Sequence, residues 1–256
     1  MNRGLTPRQN EILGLAHGRG RVSVDDLAAR FEVTPQTIRR DLNILCDRHY
    51  LQRIHGGAVV TAGVENLGYE ARRLMAQEEK QRIGRCAAQL IPNNCSLFIN
   101  IGTTTEAVAR ALTGHSDLMV ITNNINVANI LRLSSGIEVI IAGGVVRRSD
   151  GGVVGESAVD FINQFKVDYA VIGTSALDED GTLLDFDYRE VRVSRAIIAN
   201  ARNVLLVADS MKLARSAPVR IGHISQISTF VTDSLGSDGL RQVCMEAGVR
   251  VVCAGD

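Results

Sequence analysis

The first fifty residues contain three segments in which apolar residues recur at helical spacing. In segment 5–16, LTPRQNEILGLA, they follow a Thr-Pro pair, and Thr6 is a favourable N-cap for a helix. In segment 22–31, VSVDDLAARF, Ser23 is the candidate cap and two aspartates follow in the first turn. The third segment, 34–50, again begins with Thr-Pro. Two capped helices separated by a short break predict a helix-turn-helix.

The third segment carries polar side chains that suit contact with DNA. At 100° per residue, Ile38, Leu42 and Leu45 share one side of the helix. Gln, Arg and Asn side chains on the other side can form paired hydrogen bonds with base edges, and adjacent arginines can divide between base and phosphate. Many helices, however, carry a polar face that is merely solvated. The candidate DNA-binding residues of this helix and its cap are Thr34, Gln36, Thr37, Arg39, Arg40 and Asn43.

A short hairpin is predicted directly after the third helix. Segment 50–60, YLQRIHGGAVV, alternates apolar residues around a Gly-Gly pair. We expect its Arg53 and His55 to lie beside the backbone of a DNA duplex. Three helices followed by a hairpin predict a winged helix-turn-helix DNA-binding domain over residues 1–60.

Beyond residue 76, strand-like apolar runs alternate with helical segments. Residues 61–76 mix glycine and charged residues with few apolar ones, and we predict a linker there. An amphipathic helix follows and ends at Pro92. After it, the strand-like runs SLFINIG, LMVITNN, IEVIIAGG and VDYAVIGTSA are separated by helical segments. This alternation predicts an α/β domain over residues 77–256, with a mostly parallel sheet covered on both faces.

Several predicted strands end in turns rich in glycine, hydroxyl and amide groups. Ligands bind at the carboxyl ends of strands in sheets of this kind. In segment 98–112, FINIGTTTEAVARAL, a strand passes through such a turn into a helix, whose N-terminal N–H groups and dipole attract an anion. A threonine cap after a glycine turn is common in any α/β protein, so the prediction depends on several turns sharing one rim. The candidate ligand-binding residues in these turns are Gly102, Thr103, Thr104, Thr105, Asn123, Asn124, Gly143, Gly144, Thr174 and Ser175.

Charged residues in the second half of the domain add to this candidate site. Asp187 and Glu190 follow a turn in LLDFDYREVRVSR, and Lys212 follows the strand-like NVLLVADS. A carboxylate can accept hydrogen bonds from sugar or glycerol hydroxyls, and a lysine can meet a phosphate as a point charge. We expect Arg192 and Arg195 of the same segment to be solvated.

Composition limits the functional class. The 256 residues, 45% of them hydrophobic, suffice for buried cores and contain no run long enough to span a membrane. The first residues lack the apolar core of a signal peptide, so we expect a cytoplasmic protein. Five scattered cysteines favour a reducing compartment over disulfides or a zinc site, and we expect no cofactor and no metal. Residues 1–57 carry 9 Lys+Arg and 6 Asp+Glu, whereas the rest carries 19 and 22. A basic N-terminal domain is compatible with nucleic-acid contact.

Two motifs resemble the DeoR family of bacterial transcriptional regulators: TPQTIRRDLNIL in the third helix and RIHGGAVV in the hairpin. The resemblance implies a repressor whose recognition helix includes Thr37, Arg39 and Arg40. It also implies a sensor domain similar to the ribose-5-phosphate isomerase fold. The expected partners are operator DNA and a phosphorylated small-molecule inducer, and the expected assembly is a homodimer or homotetramer.

Within the family, further stretches are similar to members that control glycerol uptake and catabolism genes. They are GTTTEAVARAL, ITNNINVAN, IIAGGVVRRSDGGVVGESAVDFINQF and LLDFDYREVRVSRAII. This similarity implies sn-glycerol 3-phosphate as the inducer. Sugar-phosphate sensors of the family share much of the same rim, so another sugar phosphate is the alternative.

An isomerase with an accessory DNA-binding module is the alternative from a different class. The isomerases carry an acidic D-G-A-D-E run after the central strand, whereas this chain has GTSAL at residues 173–177. Without those carboxylates, abstraction of a proton next to a carbonyl has no evident base. We therefore expect a sensor and not an enzyme.

Overall fold

The computed structural model describes residues 5–19, 21–47, 50–54, 56–59, 69–213 and 215–255. The chain divides into two compact units, Met1–Met75 and Ala76–Asp256, here called the head and the body. Each unit contains its own buried apolar clusters.

Helices and a small antiparallel sheet make up the described part of the head. The elements are α1 (Pro7–Arg19), β1 (Arg21–Ser23), α2 (Val24–Arg30), α3 (Pro35–Asp47), β2 (Gln52–Ile54), β3 (Gly57–Val59) and α4 (Tyr69–Leu74). The hydroxyl of Ser23 caps α2 by accepting a hydrogen bond from the Asp26 amide at 3.0 Å. Ile12, Leu27 and Leu42 from α1, α2 and α3 pack in one core. The predicted helix-turn-helix is therefore confirmed.

The sheet of the head includes a strand that the sequence did not predict. Its order is β1-β3-β2, and β1 pairs antiparallel with β3. A Cβ atom at Gly57 would lie 2.0 Å from the carbonyl oxygen of Val22, so only glycine allows this close approach of the two strands. The second glycine of the hairpin is thus required for β1 to pack against β3. The three residues of β1 are too few to show a periodic pattern in the sequence.

Strands and helices alternate over most of the body. The helices are α5 (Gln77–Gln89), α6 (Thr103–Leu112), α7 (Ile125–Leu131), α8 (Glu156–Ile162), α9 (Tyr188–Ala199) and α10 (Asp238–Glu246). The strands are β4 (Cys95–Ile99), β5 (Leu118–Thr122), β6 (Ile137–Ile141), β7 (Val145–Val146), β8 (Val153–Val154), β9 (Val167–Ile172), β10 (Ala176–Leu177), β11 (Thr182–Asp185), β12 (Ala201–Val207), β13 (Val219–His223), β14 (Thr229–Thr232) and β15 (Arg250–Cys253).

The main sheet of the body is parallel throughout its described strands. Its order is β15-β14-β12-β9-β4-β5-β6. Successive residues of β4 enter different cores, because Phe98 belongs to one apolar cluster and Leu97 and Ile99 to the other. This confirms the predicted parallel sheet covered on both faces. The neighbours β4 and β9 continue along the chain toward opposite edges of the sheet, and such a switch point is where open α/β sheets bind ligands.

Two smaller antiparallel sheets were not predicted. One is the hairpin of β7 and β8, and the other has the order β10-β11-β13. Strands as short as Val145–Val146 and Ala176–Leu177 contain too few residues for an alternating pattern.

Neither a membrane-spanning helix nor a metal cluster occurs in the described ranges. No helix there is long and apolar enough to cross a membrane. Within the same ranges, no group of three or more His, Cys, Asp and Glu side chains is arranged to hold a metal ion. All five cysteines are free thiols.

Candidate functional site

The helix α3 presents its polar side chains to solvent. Gln36, Arg39, Arg40 and Asn43 are exposed, and Thr37 is half-buried. The apolar residues Ile38, Leu42 and Leu45 of the same helix are fully buried. The helix therefore has the two faces that its periodicity predicts, and the outer one is available to a partner.

Thr34 caps this helix. Its hydroxyl oxygen accepts a hydrogen bond from the Thr37 amide at 3.3 Å and lies 2.9 Å from the Thr37 hydroxyl. The Thr34 side chain thus satisfies one of the amides that a helix leaves unpaired at its start. Its structural role is to fix the N-terminus of α3, where Gln36 begins the exposed face.

A buried carboxylate, which the sequence reasoning did not select, fixes α3 against α1. Asp41 is 4% exposed although it stands between the exposed Arg40 and the buried Leu42. Its two oxygens accept hydrogen bonds from Arg8 Nε at 2.7 Å and Gln9 Nε2 at 2.8 Å. A charge-assisted contact of this kind sets the angle at which α3 presents its polar face.

The hairpin of β2 and β3, here called the wing, carries an exposed cation. Arg53 lies on β2, where it pairs with Ala58 of β3, and it is exposed. The second residue predicted for the wing, His55, lies outside the described residues.

The turn between β4 and α6 is the predicted anion cradle. Gly102 precedes the helix with φ of 151°, a value that residues with a side chain rarely adopt. The fully buried Thr105 donates its hydroxyl hydrogen to the carbonyl oxygens of Asn100 and Gly102, at 2.7 and 2.8 Å. The Glu106 amide begins the helical ladder by donating to Gly102 at 3.0 Å. Backbone amides at the helix start, and not the Thr105 hydroxyl, are thus the groups available to an anion.

The other two threonines of the cradle are also well enclosed. Thr103 and Thr104 are 9% and 6% exposed. Their amides belong to the first turn of α6, where a helix has no internal partner for its N–H groups. A phosphate group at this point would meet both the amides and the positive end of the helix dipole.

Glu106 joins the cradle to the next strand end. Its carboxylate is 2% exposed and accepts hydrogen bonds from Asn126 Nδ2 at 3.0 Å and Asn124 Nδ2 at 3.4 Å. Arg110 lies one turn further along α6, 3.8 Å from the second carboxylate oxygen. Sequence reasoning missed this role, although the position of an acid in the first turn of α6 is itself a signal for helix stabilisation.

The two asparagines that follow β5 have different partners. Asn123 is fully buried and donates from Nδ2 to the carbonyl oxygen of Val153 at 3.1 Å, while its Oδ1 has no hydrogen-bond partner among the described residues. Asn124 caps α7, because its Oδ1 accepts from the Asn126 amide at 2.9 Å. Asn123 therefore holds the β7–β8 hairpin, and Asn124 holds the start of a helix.

The remaining predicted turns flank this centre. Gly143 and Gly144 are exposed between β6 and β7. After β9, the Thr174 hydroxyl donates to the carbonyl oxygens of Ala176 and Leu184, at 2.6 and 2.9 Å. The Ser175 hydroxyl donates to Asp185 at 3.0 Å. These two hydroxyls serve the small sheet of β10, β11 and β13.

A charged cluster links the hairpin to the start of α9. Arg147 forms ion pairs with Asp150 at 2.6 Å, with Asp187 at 3.1 Å and with Glu190. Burial and the nearby Asp185 raise the pKa of Glu190 to about 8, against the opposing effect of Arg147. Burial also opposes ionisation of Asp187, but hydrogen bonds from Arg189 and Arg147 hold the pKa of its carboxyl below the usual value.

Lys212 lies just beyond β12, in the short 3₁₀ turn Ser210–Lys212, and is 8% exposed. The amide and hydroxyl of Ser210 donate to the carboxylate of Asp233, at 2.7 and 2.9 Å, and so tie the end of β12 to the end of β14. An ammonium group enclosed at a strand end is suited to an anionic partner.

The parallel sheet brings most of these groups to one edge. Adjacent strands in the order β12-β9-β4-β5-β6 carry, after their last residues, the turns at 208–212, 173–175, 100–105, 123–124 and 142–144. Residues separated by more than a hundred positions therefore share a rim, as predicted. Charged residues of the body that the sequence did not single out include Glu106, Arg147, Asp150, Asp185 and Asp233.

A helix-turn-helix head with an exposed polar helix face, joined in one chain to an α/β body with an anion-attracting strand end, defines a ligand-responsive DNA-binding regulator. Two family models match the chain. The DeoR-like helix-turn-helix domain covers residues 8–63, and the DeoR C terminal sensor domain covers residues 75–234. The chain belongs to the DeoR family.

Relatives match over nearly the whole length. The glycerol-3-phosphate regulon repressor of Escherichia coli is 46% identical over 246 residues, which cover 96% of this chain and 98% of that protein. The repressor of the same name from Haemophilus influenzae is 44% identical over 248 residues, which cover 97% of each chain. These relatives are transcriptional repressors and not enzymes, which confirms the expected class.

Among solved structures, ribose 5-phosphate isomerase A from Methanocaldococcus jannaschii is similar to part of this chain. The TM-score is 0.41 at 14% identity, with 54% of this chain and 55% of that chain covered. A likeness of this size supports no statement about function.

Proposed function

We propose that this protein represses genes of glycerol and glycerol 3-phosphate catabolism and is released from its operators by sn-glycerol 3-phosphate. The observation that carries the proposal is the 44–46% identity, over nearly the full chain, with glycerol-3-phosphate regulon repressors. The anion cradle at the β4–α6 turn supports it, because a phosphorylated inducer needs such a group.

In this proposal α3 enters the major groove. Gln36, Arg40 and Asn43 contact base edges, while Arg39 and the wing residue Arg53 contact phosphates. The exposure of all five side chains is consistent with that division. His55 is proposed as a further backbone contact.

The inducer lies along the rim of the body. The amides at the start of α6 bind its phosphate, with Lys212 as the neutralising cation. The carboxylates of Asp187 and Glu190 accept hydrogen bonds from the hydroxyls at the other end of the inducer. Asn123, the turn at 143–144 and the Thr174–Ser175 turn complete the enclosure.

We also propose a homodimer or homotetramer that acts on operator DNA in the cytoplasm. Paired heads of this kind bind half-sites about one helical turn apart, which is about 34–36 Å. Inducer and operator then oppose one another by favouring different populations of the same protein.

A gel-shift assay on the promoters beside the gene, with a panel of phosphorylated three- to six-carbon metabolites, tests the proposal. We expect a shifted band that sn-glycerol 3-phosphate removes, whereas glycerol and inorganic phosphate do not. Release by a different sugar phosphate alone would show that the inducer is wrong and the repressor class right.

A thermal-shift panel with the same compounds gives a second, DNA-free measurement. A ligand at about 100 times its Kd stabilises the folded protein by about 2.7 kcal/mol. We expect sn-glycerol 3-phosphate to give the largest increase in Tm. No increase with any phosphorylated compound would contradict the proposed sensor site.

A further inference from the structure

The guanidinium of Arg147 lies at the centre of an acidic cluster, where two separate parts of the body meet. It donates to both oxygens of Asp150, from Nε at 2.9 Å and from Nη2 at 2.6 Å. It also donates from Nη1 to Asp187 at 3.1 Å and from Nη2 to Glu190. Arg147 and Asp150 belong to the β7–β8 hairpin, whereas Asp187 and Glu190 belong to the start of α9.

Asp150 fixes the direction of the guanidinium. Its side chain is 1% exposed, and its contact with Arg147 is a two-point contact between a carboxylate and a planar fork. The amide of Gly152 also donates to Asp150 at 3.2 Å. Asp150 therefore fixes the guanidinium of Arg147 on one side, and the guanidinium donates on its other side to Asp187 and Glu190.

Asp187 and Glu190 remain partly accessible, unlike Asp150. Their side chains are 16% and 11% exposed. The other oxygen of Asp187 caps α9 by accepting from the Arg189 amide at 2.9 Å, and the exposed Arg189 guanidinium donates to both oxygens, at 3.2 and 3.1 Å. Two oriented carboxyl groups at a partly open rim can accept hydrogen bonds from a small molecule that carries hydroxyl groups, whether or not Glu190 is protonated.

The charge of the cluster argues against a direct contact between Arg147 and a phosphate. Two guanidinium groups, those of Arg147 and Arg189, face this cluster, in which Asp185 is close enough to affect Glu190. Even with Glu190 protonated, the three aspartates outnumber the two cations, so the cluster repels a phosphate dianion and favours neutral hydroxyl donors.

We propose that Arg147 is a positioning residue, which holds Asp187 and Glu190 oriented to bind the hydroxyl groups of the ligand. This inference rests on the function proposed above. In it, Arg147 is the residue that makes the protein prefer a phosphate ester with hydroxyl groups over one without them. The phosphate itself is bound elsewhere, at the start of α6. Arg147 acts through the two carboxylates and does not touch the ligand.

Calorimetric titration of the full-length protein with two ligands tests this role. The first ligand is sn-glycerol 3-phosphate, and the second is methyl phosphate, which has the phosphate but no hydroxyl groups. The variants are Arg147→Met, Arg147→Lys and, as a matched control from the same hairpin, Arg148→Met at an exposed position.

We expect Arg147→Met to weaken glycerol 3-phosphate binding by about tenfold or more, because the two carboxylates lose a charged hydrogen-bond donor. Methyl phosphate binding should change by less than about twofold on the same reasoning. The affinity of Arg147→Lys for glycerol 3-phosphate should lie between those of Arg147→Met and the unaltered protein, since lysine keeps the positive charge but not the planar set of donors. Arg148→Met should match the unaltered protein.

Equal loss of both ligands in Arg147→Met and Arg147→Lys would overturn the proposal, since it would indicate a general structural role or a direct phosphate contact. Unchanged binding of both ligands would overturn it too. If the unaltered protein binds neither of the two ligands, that result would instead overturn the proposed function, and this inference with it.

The ratio of the affinities for the two ligands, measured as a function of pH, gives a second test that a purely structural role of Arg147 would not affect. The groups that face Glu190 are Arg147 and Asp150 of the hairpin and Asp185 at the end of β11. Arg147 lowers the pKa of Glu190, so its removal should shift the transition in the affinity ratio of the two ligands to higher pH. An unshifted transition in Arg147→Lys and Arg147→Met alike would contradict the role of Arg147.

Discussion

The two units of this protein present their functional groups in opposite ways. In the head, Arg39, Arg40 and Asn43 project from one continuous helix into solvent. In the body, Thr105 and Glu106 are 0% and 2% exposed. Thr105 donates to carbonyls of its own turn, and Glu106 accepts from Asn124 and Asn126 beyond the next strand. The head is built to meet a large partner on its surface, whereas the body is built to enclose a small one.

This difference has a consequence for substitutions. A side chain exposed on a helix can be truncated at little cost to folding, since it has few contacts to lose. A buried polar group at a strand end cannot be removed without leaving its partners unsatisfied. Head variants should therefore separate binding from stability cleanly, and body variants should not.

The largest expected effect is that of Arg40→Ala in the head. It should reduce specific operator affinity by about two orders of magnitude, because a lost base contact costs 1–3 kcal/mol at each half-site. Inducer binding and Tm should stay unchanged. The measurement is fluorescence anisotropy with labelled operator, with the exposed Arg30→Ala on α2 as the control. Operator affinity equal to that of the unaltered protein would mean that another face of α3 meets the DNA.

Glu106→Gln in the body is the corresponding test of an enclosed group. The amides of Asn124 and Asn126 lose a charged acceptor, so we expect about tenfold weaker inducer binding and a lower Tm. Operator affinity without inducer should be retained, because the head keeps its own core. Calorimetry and thermal unfolding measure both quantities, and the exposed Glu78→Gln on α5 is the control. Weaker inducer binding with unchanged Tm would break the contrast between the two units.

Arg53→Ala in the wing should have a smaller, sequence-independent effect. Loss of a phosphate contact weakens binding to all DNA by several-fold and lowers the slope of log affinity against log salt by about 1 per head. Titrations of operator and random DNA at several salt concentrations measure this slope. A loss confined to the operator would assign Arg53 to base contact.

The last prediction concerns a slope and not an affinity, namely the change in the stability of the body with pH. The pKa of Glu190 is raised to about 8 in the folded protein, so the folded state keeps a proton on this carboxyl group that the unfolded state loses at lower pH. The stability that this proton contributes is therefore lost as the pH rises from the pKa of Glu190 in the unfolded chain toward 8. In the Glu190→Gln variant the free energy of unfolding should rise more steeply with pH, or fall less steeply, in this range, by on the order of 1 kcal/mol per pH unit. Urea unfolding between pH 5.5 and 8.5 measures the difference. The exposed Glu156→Gln should leave the slope unchanged.

The same contrast explains what the sequence could predict. The faces of α3 follow from a period of 3.6 residues, so the buried Ile38 and the exposed Arg40 were both predictable. The parallel sheet followed from alternating strands and helices, and with it the shared rim. These features depend on local periodicity and on general rules of sheet topology.

Contacts between distant segments were not predictable in this way. Arg147 meets Asp187 forty positions later, and no local pattern marks that pairing. The sequence predicts Thr105 as a ligand contact together with its neighbours, yet its hydroxyl hydrogen is directed to two backbone carbonyls of its own turn. Asp41 belongs to the same motif as Arg40, but only the fold shows that it holds α3 to α1.

The central claim is that the head and the body are thermodynamically linked. Calorimetric titration of sn-glycerol 3-phosphate, with and without saturating operator DNA, tests it most directly. Linkage requires operator to weaken inducer binding by the same factor by which inducer weakens operator binding. We predict equal factors, of about 5- to 150-fold for a typical coupling. Identical inducer affinity in the presence and absence of operator would contradict the account.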